Sequence, residues 1–204
     1  MNTLKNKNSF NHRLIELSHQ HIAEAVEIHT HFLGYSLNAL FGRKQLADLY
    51  MAILKSDSAA GFVAIDEFGR VIGVVTGVFD HSTMQKKILS FSMILRMALR
   101  FIIHPKTWIW MGASIFRRSP KKPCEYSAAL TSIAVMSEFR GTGVGRNLVC
   151  ALERTFASGG IDGYWLETRR ANKEAHDFYR KLGFVEYSKG SQDLCLVRKI
   201  PGIT

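Results

Sequence analysis

Apolar positions recur along this 204-residue chain with two periods, close to 2 in some stretches and close to 3.6 in others. His12–Leu17 is a candidate short strand. Ser18 then stands as the cap of a helix over about Gln20–Leu33, with Ile22, Ala25, Val26 and Ile28 along it and Gly34 to end it. Phe41–Lys55 predicts a second helix, with Leu46, Leu49, Tyr50, Ile53 and Leu54 on one side. Gly61–Asp66 and Val71–Phe79 predict two strands, joined by a hairpin turn at Glu67-Phe68-Gly69-Arg70. Glu125–Val135 is a further strand, and Gly143–Ser158 a helix ended by Gly159-Gly160. Gly163–Thr168 predicts a strand, Asn172–Leu182 a helix stopped by Gly183, and Phe184–Tyr187 and Leu194–Arg198 the closing strands. Helices, antiparallel strands, then strand–helix–strand–helix–strand imply a single α/β domain of the α+β type, a mixed sheet flanked by helices.

One stretch interrupts this order. Met84–Ile103 has helical periodicity, with Ile88, Phe91, Leu95, Ala98, Leu99 and Ile102 on a wide apolar face and Lys86, Arg96 and Arg100 opposite. His104-Pro105 breaks it, and Arg96, Arg100 and Lys106 interrupt any run long enough to span a bilayer. Charge sharpens the picture. The formal net charge is +10, yet between Asp80 and Glu125 there is no acid at all and nine of the 27 basic residues. The excess therefore belongs to this segment, whereas a nucleic-acid-binding domain spreads its charge over a folded face, which argues against nucleic acid as a partner. Trp108, Trp110 and Phe116 beside Arg117 and Arg118 suit a headgroup boundary. Two uses of the segment stay open: burial against the domain or across a homodimer, and peripheral contact with the inner face of a membrane through 84–118. The three cysteines, Cys124, Cys150 and Cys195, are odd in number and widely spaced. That spacing fits neither a disulfide framework nor a zinc site and implies small hydrophobes in a reducing compartment. No signal-peptide pattern opens the chain, so a cytoplasmic location is expected.

The stretch EFRGTGVGRNLV, Glu138–Val149, places three glycines between two arginines, after a strand and at the start of a helix. Bare backbone N–H groups at a helix N-terminus cradle a pyrophosphate. The dinucleotide fingerprint fails, because its third glycine falls at Arg146, and no Gly-Lys-Ser/Thr follows for a Walker loop. Arg140-Gly141-Thr142-Gly143-Val144-Gly145 instead resembles the R-G-x-G-[IV]-G/A acetyl-CoA loop of the GNAT superfamily of N-acetyltransferases. A second block, LETRRANKEAHDFYRKLGF from Leu166 to Phe184, resembles that family's N-x-x-A-x-x-F-Y-x-x-x-G-F motif. The resemblance is strong over Glu125–Tyr187, follows element order over His12–Phe79, and does not cover Asp80–Cys124.

The resemblance implies the GNAT fold, a mostly antiparallel central sheet, with the basic stretch at about 80–124 as a helical insertion between the third and fourth strands. It implies acetyl-CoA as co-substrate and no metal. The loop Arg140, Gly141, Thr142, Gly143, Val144, Gly145 and Arg146 would hold the cofactor's phosphates. The backbone of Ile133, Ala134 and Val135 would take the pantetheine. Asn172 matches the family's cofactor-contacting asparagine, and it is equally placed to cap its helix. Tyr179 matches the tyrosine set beside the CoA sulfur as general acid. Glu167 occupies the place of the basic glutamate in LEVRASN of the ribosomal-protein N-terminal acetyltransferases; the alternative is a carboxylate paired with Arg169 on the same strand face. The histone-type base position is Ala129 here, and Glu125, His81 and His176 are weaker candidates. Cys150 lies about two helical turns past the loop, so direct transfer in a ternary complex is expected rather than a covalent acyl-enzyme. The acceptor is expected to be a primary amine of a small molecule, amino sugars included. Alternatives are a protein N-terminus or lysine and, in another class, a non-catalytic acyl-CoA-binding regulatory module.

Overall fold

The structure, a computed structural model, describes residues 11–32, 42–82, 124–189 and 193–202. The helix expected over Met84–Ile103, almost all of the basic insertion, and Gly34 lie outside the described residues. Strands β1 (Arg13–Glu16), β2 (Ala59–Ile65), β3 (Val71–Val78), β4 (Ala128–Val135), β5 (Gly163–Arg169), β6 (Val185–Lys189) and β7 (Asp193–Lys199) form one sheet in the order β1-β2-β3-β4-β5-β7-β6. Every neighbouring pair is antiparallel except β4 and β5. Four helices accompany them among the described residues: α1 (Ile22–Phe32), α2 (Arg43–Leu54), α3 (Val144–Ser158) and α4 (Lys173–Lys181). This is the mixed, mostly antiparallel sheet flanked by helices that the resemblance implied.

The boundaries move where tertiary pairing decides them. Strand β4 starts at Ala128 instead of Glu125, because its partner β3 ends at Val78, which faces Ala129. Strand β6 starts at Val185 and runs on to Lys189, because β7 supplies partners as far as Leu194. The first helix opens as a 3₁₀ turn, His19–His21, before α1. Ser18 does sit at its cap, with its backbone N–H donating to His21 Nδ1 at 3.2 Å. The β2–β3 turn is held by Asp66, whose carboxylate accepts from the N–H groups of Phe68 and Arg70, each at 2.9 Å.

Each sheet face has its own core. On one, Ile72, Val75, Leu130, Tyr164 and Leu166 pack under Leu148, Leu152 and Phe156 of α3 and Tyr179 of α4. On the other, Val63, Val74 and Ala134 meet Val26 of α1 and Leu46 and Tyr50 of α2. That face continues into a smaller patch of Ile53, Val78, Ala129, Trp165, Cys195 and Val197. Leu148, fully buried, illustrates the energetics: truncation to alanine is expected to cost about 2–5 kcal/mol.

Candidate active site

The parallel pairing of β4 with β5 lasts only two residues, Ala128 with Tyr164 and Ala129 with Trp165. Beyond it β4 stays laddered to β3 as far as Val135, while β5 stays laddered to β7 as far as Arg169. The two strands therefore part, and no β5 residue pairs with Leu130–Val135. A bulge lies at the parting point: Leu130 faces Gly77 and Ser132 faces Thr76, which leaves Thr131 as an extra residue. A bulge bends its strand and increases its twist, and here it falls two residues past the last β4–β5 pair. The edge of Ile133, Ala134 and Val135 that faces the gap offers backbone groups with no strand to take them.

The glycine loop follows at the end of β4. A 3₁₀ turn, Ser137–Phe139, leads to Arg140, and Gly143 sits at the N-cap of α3 with φ 95°. Gly141 has φ 77°. A side chain at either glycine would be strained, and an added Cβ would meet no protein atom within 4 Å. The bareness of these two positions faces outward. Gly145 differs: a Cβ there would lie 3.2 Å from the Phe178 ring of α4, so its bareness serves packing between two helices. No side chain caps α3 and its first turn holds no acid, so its N–H groups and the positive end of its dipole meet the gap. Buried Val144 anchors that turn in the core, and Arg146 is exposed. Thr142 Oγ1 donates to the Phe139 carbonyl at 2.7 Å and closes the loop from within. Arg140 is held by Glu174 at 3.0 Å and by the Val135 carbonyl at 3.3 Å, with its guanidinium 4.9 Å from the Phe32 ring centroid.

Asn172 is the N-cap of α4, its Oδ1 accepting from the Ala175 N–H at 3.1 Å. Tyr179, further along α4, is 7% exposed, with its ring 5.3 Å from that of Phe184 and 5.2 Å from that of Phe178. Behind it lies a buried polar group that the sequence reading missed. Tyr164 donates to Glu153 at 2.7 Å, Glu153 pairs with Arg198, and Arg198 lies over Phe184. Burial, with the Glu153 charge second, pushes the Tyr164 hydroxyl far above the usual tyrosine range.

Glu167 occupies the opposite face. It faces Cys195 in the β5–β7 ladder, on the side of Trp165, whereas Leu166 turns toward Tyr179. Glu167 is exposed at the surface, and its carboxyl is raised above the ordinary glutamate value, first by partial desolvation against the protein around it and then by the Asp193 charge. A paired arginine would lower it, so the alternative of a Glu167–Arg169 pair has no support; Arg169 faces Asp193 in the ladder. The Trp165 indole N–H is buried with no hydrogen-bond partner among the described residues. Its ring stacks edge-on with His81 at 4.8 Å. Burial, opposed by Asp80, lowers the His81 pKa. His176 Nε2 lies 3.0 Å from the Arg169 carbonyl, to which only a protonated nitrogen donates, so that atom is not poised as a base. Ala129 is buried, as a residue with no chemistry should be. Cys124 and Cys195 are buried, and burial first, then neighbouring Cys124, pushes the Cys195 thiol up to about 12. Cys150 is only half-buried, a partial departure from the expectation for all three.

The opened edge of β4 thus leads, through the glycine loop, directly into the glycine-bared N-terminus of α3. The sequence model of the acetyltransferase (GNAT) family matches residues 23–184. The chain belongs to this family. Solved GNAT structures superpose on nearly its whole length. SsHAT matches with a TM-score of 0.65 at 18% identity, over 93% of this chain and 98% of that one. Aminoglycoside N-acetyltransferase AAC(6′)-Iy in complex with CoA matches with 0.62 at 16%, over 88% and 91%. The ribosomal-protein-S18-alanine N-acetyltransferase from Escherichia coli matches with 0.57 at 16%, over 93% and 94%. No curated protein matches the chain at the required significance.

Proposed function

We propose that this acetyltransferase moves the acetyl group of acetyl-CoA directly to a primary amine of a small molecule, in a ternary complex. The parting of β4 and β5 beside the uncapped N-terminus of α3 carries the reading. Pyrophosphate would sit on the N–H groups from Gly141 to Gly145, with Arg146 adding charge. The pantetheine amides would pair with the free edge of Ile133, Ala134 and Val135, and a backbone N–H there would polarise the thioester carbonyl as it becomes an oxyanion. Glu167 would take the ammonium proton, directly or through a water, since an ammonium has no lone pair to attack with. Its raised pKa brings it closer to that of its task. Tyr179 would give a proton to the leaving thiolate. Glu167 and Tyr179 of α4 lie on opposite faces of the sheet, so the amine would enter from the α1–α2 side and the thiol would leave toward α4.

Two structural relatives carry their acceptors in their names, an aminoglycoside and an alanine of ribosomal protein S18, and both are N-acetyltransferases, so what those acceptors share is an amine. A panel of amino sugars, polyamines and amino-acid amides, offered with acetyl-CoA and read by release of free thiol, tests the reading. Turnover of a small amine supports it. Turnover of N-terminal peptides alone moves the acceptor to protein, and acetyl-CoA binding with no turnover of any amine leaves a regulatory module.

A further inference from the structure

Behind Tyr179 lies a buried polar group that the proposed acetyl transfer does not use. Glu153 of α3 is 7% exposed, among the apolar side chains of Leu148, Leu152 and Phe156. Its Oε1 accepts from the Tyr164 hydroxyl at 2.7 Å and from Arg198 Nε at 2.5 Å, and its Oε2 accepts from Arg198 Nη2 at 3.5 Å. Tyr164 and Arg198 face each other across the β5–β7 ladder, so one carboxylate ties α3 to two strands. A buried ion pair adds little net stability over apolar residues of the same volume. What it does supply is direction, because the planar guanidinium is held by two of its nitrogens.

That direction is passed to α4 by contact. The Arg198 guanidinium lies 5.8 Å from the centroid of the Phe184 ring. It also rests against Gly183, where φ is 88° and an added Cβ would lie 2.9 Å from Arg198 Nη1. Phe184 packs edge-on against Tyr164 with ring centroids 5.3 Å apart, and against Tyr179 at the same separation. The Phe184 N–H donates to the Tyr179 carbonyl at 3.1 Å, as does that of Leu182. Ring and backbone of Tyr179 are therefore both fixed by the turn Leu182–Phe184, and that turn is seated on Arg198. Burial first, then the Glu153 charge, keeps the Tyr164 hydroxyl protonated, so its bond to Glu153 is not lost as pH rises through the ordinary tyrosine range.

We propose that Glu153, Arg198 and Tyr164 are positioning residues for the Tyr179 hydroxyl: they clamp Phe184 and the turn that ends α4, and so hold the acid where the thiolate leaves. They act through Phe184, on the α4 face of the sheet, whereas Glu167 lies on the other. A small shift suffices, since a misplacement of about 1 Å at a reacting group costs up to about 10²-fold in rate. The role rests on the reading of Tyr179 as general acid given above.

Two variants of the whole chain test it. Tyr164→Phe keeps the ring contacts with Phe156 and Phe184 and removes only the hydroxyl. Glu153→Gln keeps an acceptor for that hydroxyl and removes the charge. Each is made alone and together with Tyr179→Phe. Thiol release from acetyl-CoA is followed with the amine or peptide of the panel above that the unaltered chain turns over fastest. Each variant is expected to lower kcat by about tenfold, with KM for the acceptor and calorimetric acetyl-CoA affinity within about twofold. Added to Tyr179→Phe, each is expected to lower kcat no further, because the hydroxyl it positions is already gone. A loss that multiplies the Tyr179→Phe loss overturns the proposal. So does a lower melting temperature with kcat unchanged, the mark of a role in stability alone. Full kcat in Tyr179→Phe, or no turnover of any acceptor by the unaltered chain, overturns the acid reading and the positioning role together. The two failures are distinguishable: a fall in Tyr179→Phe that Tyr164→Phe and Glu153→Gln do not share overturns the positioning role alone.

Discussion

The two sides of the gap between β4 and β5 are built from different material. On the side proposed for the cofactor the groups offered to the ligand are backbone: the N–H groups from Gly141 to Gly145 and the edge of Ile133, Ala134 and Val135. Most side chains there turn away, Val144 into the core and Arg140 onto Glu174, with exposed Arg146 the exception. On the side proposed for the acceptor the candidate chemistry lies in side chains, Glu167 near Asp193 and the Trp165 indole, whose N–H has no hydrogen-bond partner among the described residues. A backbone site needs glycine at fixed spacing and tolerates little else. A side-chain site is assembled across the sheet from residues far apart in the chain, and its chemistry is set by what packs around it. Substitutions should therefore act asymmetrically. An added Cβ should injure the cofactor side, and a lost functional group the acceptor side.

The largest effect is expected from Glu167→Gln. Loss of a general base costs about 10²-fold or more, seen in kcat/KM for the amine with acetyl-CoA affinity unchanged. The pH profile gives the sharper test. The base must be ionised, and partial desolvation and the Asp193 charge raise its pKa, so the acidic limb of the unaltered enzyme should lie above the ordinary glutamate value and vanish in the variant. Full activity in Glu167→Gln would remove the base from β5. Tyr179→Phe comes next. The phenyl ring keeps the packing on Phe184 and Phe178, so a fall in kcat of about ten- to a hundredfold with unchanged cofactor affinity would isolate the lost hydroxyl. A variant as active as the parent would leave Tyr179 as core alone.

On the cofactor side, Gly143→Val is expected to weaken acetyl-CoA binding by tenfold or more. The position has φ 95°, and strain of about 1–3 kcal/mol adds to the loss of backbone approach. Arg140→Ala should matter less, about threefold, because its charge is already engaged by Glu174. If calorimetry reverses the order of these two, the phosphates are held by side chains and the contrast between the two sides fails.

That contrast also explains what was legible in the sequence. The glycine loop, the element order and the capping role of Asn172 could be read because each is local: a turn, a period or a cap is dictated by residues within a few positions of one another. The parting of β4 from β5 could be reached only through the family resemblance, since no residue on either strand announces the bulge at Thr131. The contact of Thr76 with Thr131 and Ser132 was not legible, because it joins residues 55 and 56 positions apart. Its one local sign was Thr76, a hydroxyl inside the otherwise apolar strand VIGVVTGV. The Tyr164–Glu153–Arg198 group was hidden for the same reason, its carboxylate standing among the buried residues of α3.

The smallest effect tests the finest distinction, that between Gly145 and its two neighbours in the motif. All three glycines were expected to serve the cofactor, yet only Gly141 and Gly143 have positive φ and open space before them. A methyl at Gly145 would press on the Phe178 ring at 3.2 Å, within the protein and away from any ligand on the loop's outer side. Gly145→Ala gains helix propensity, up to about 1 kcal/mol, and loses packing, so net stability should change by less than about 1 kcal/mol. Acetyl-CoA affinity should stay within about threefold. Combining it with Phe178→Leu, which clears the ring, should make the alanine more favourable than it is alone, a coupling between the two sites that thermal melts of the four proteins would show. A tenfold loss of cofactor affinity in Gly145→Ala, with no coupling to Phe178, would return this glycine to the ligand's side of the loop.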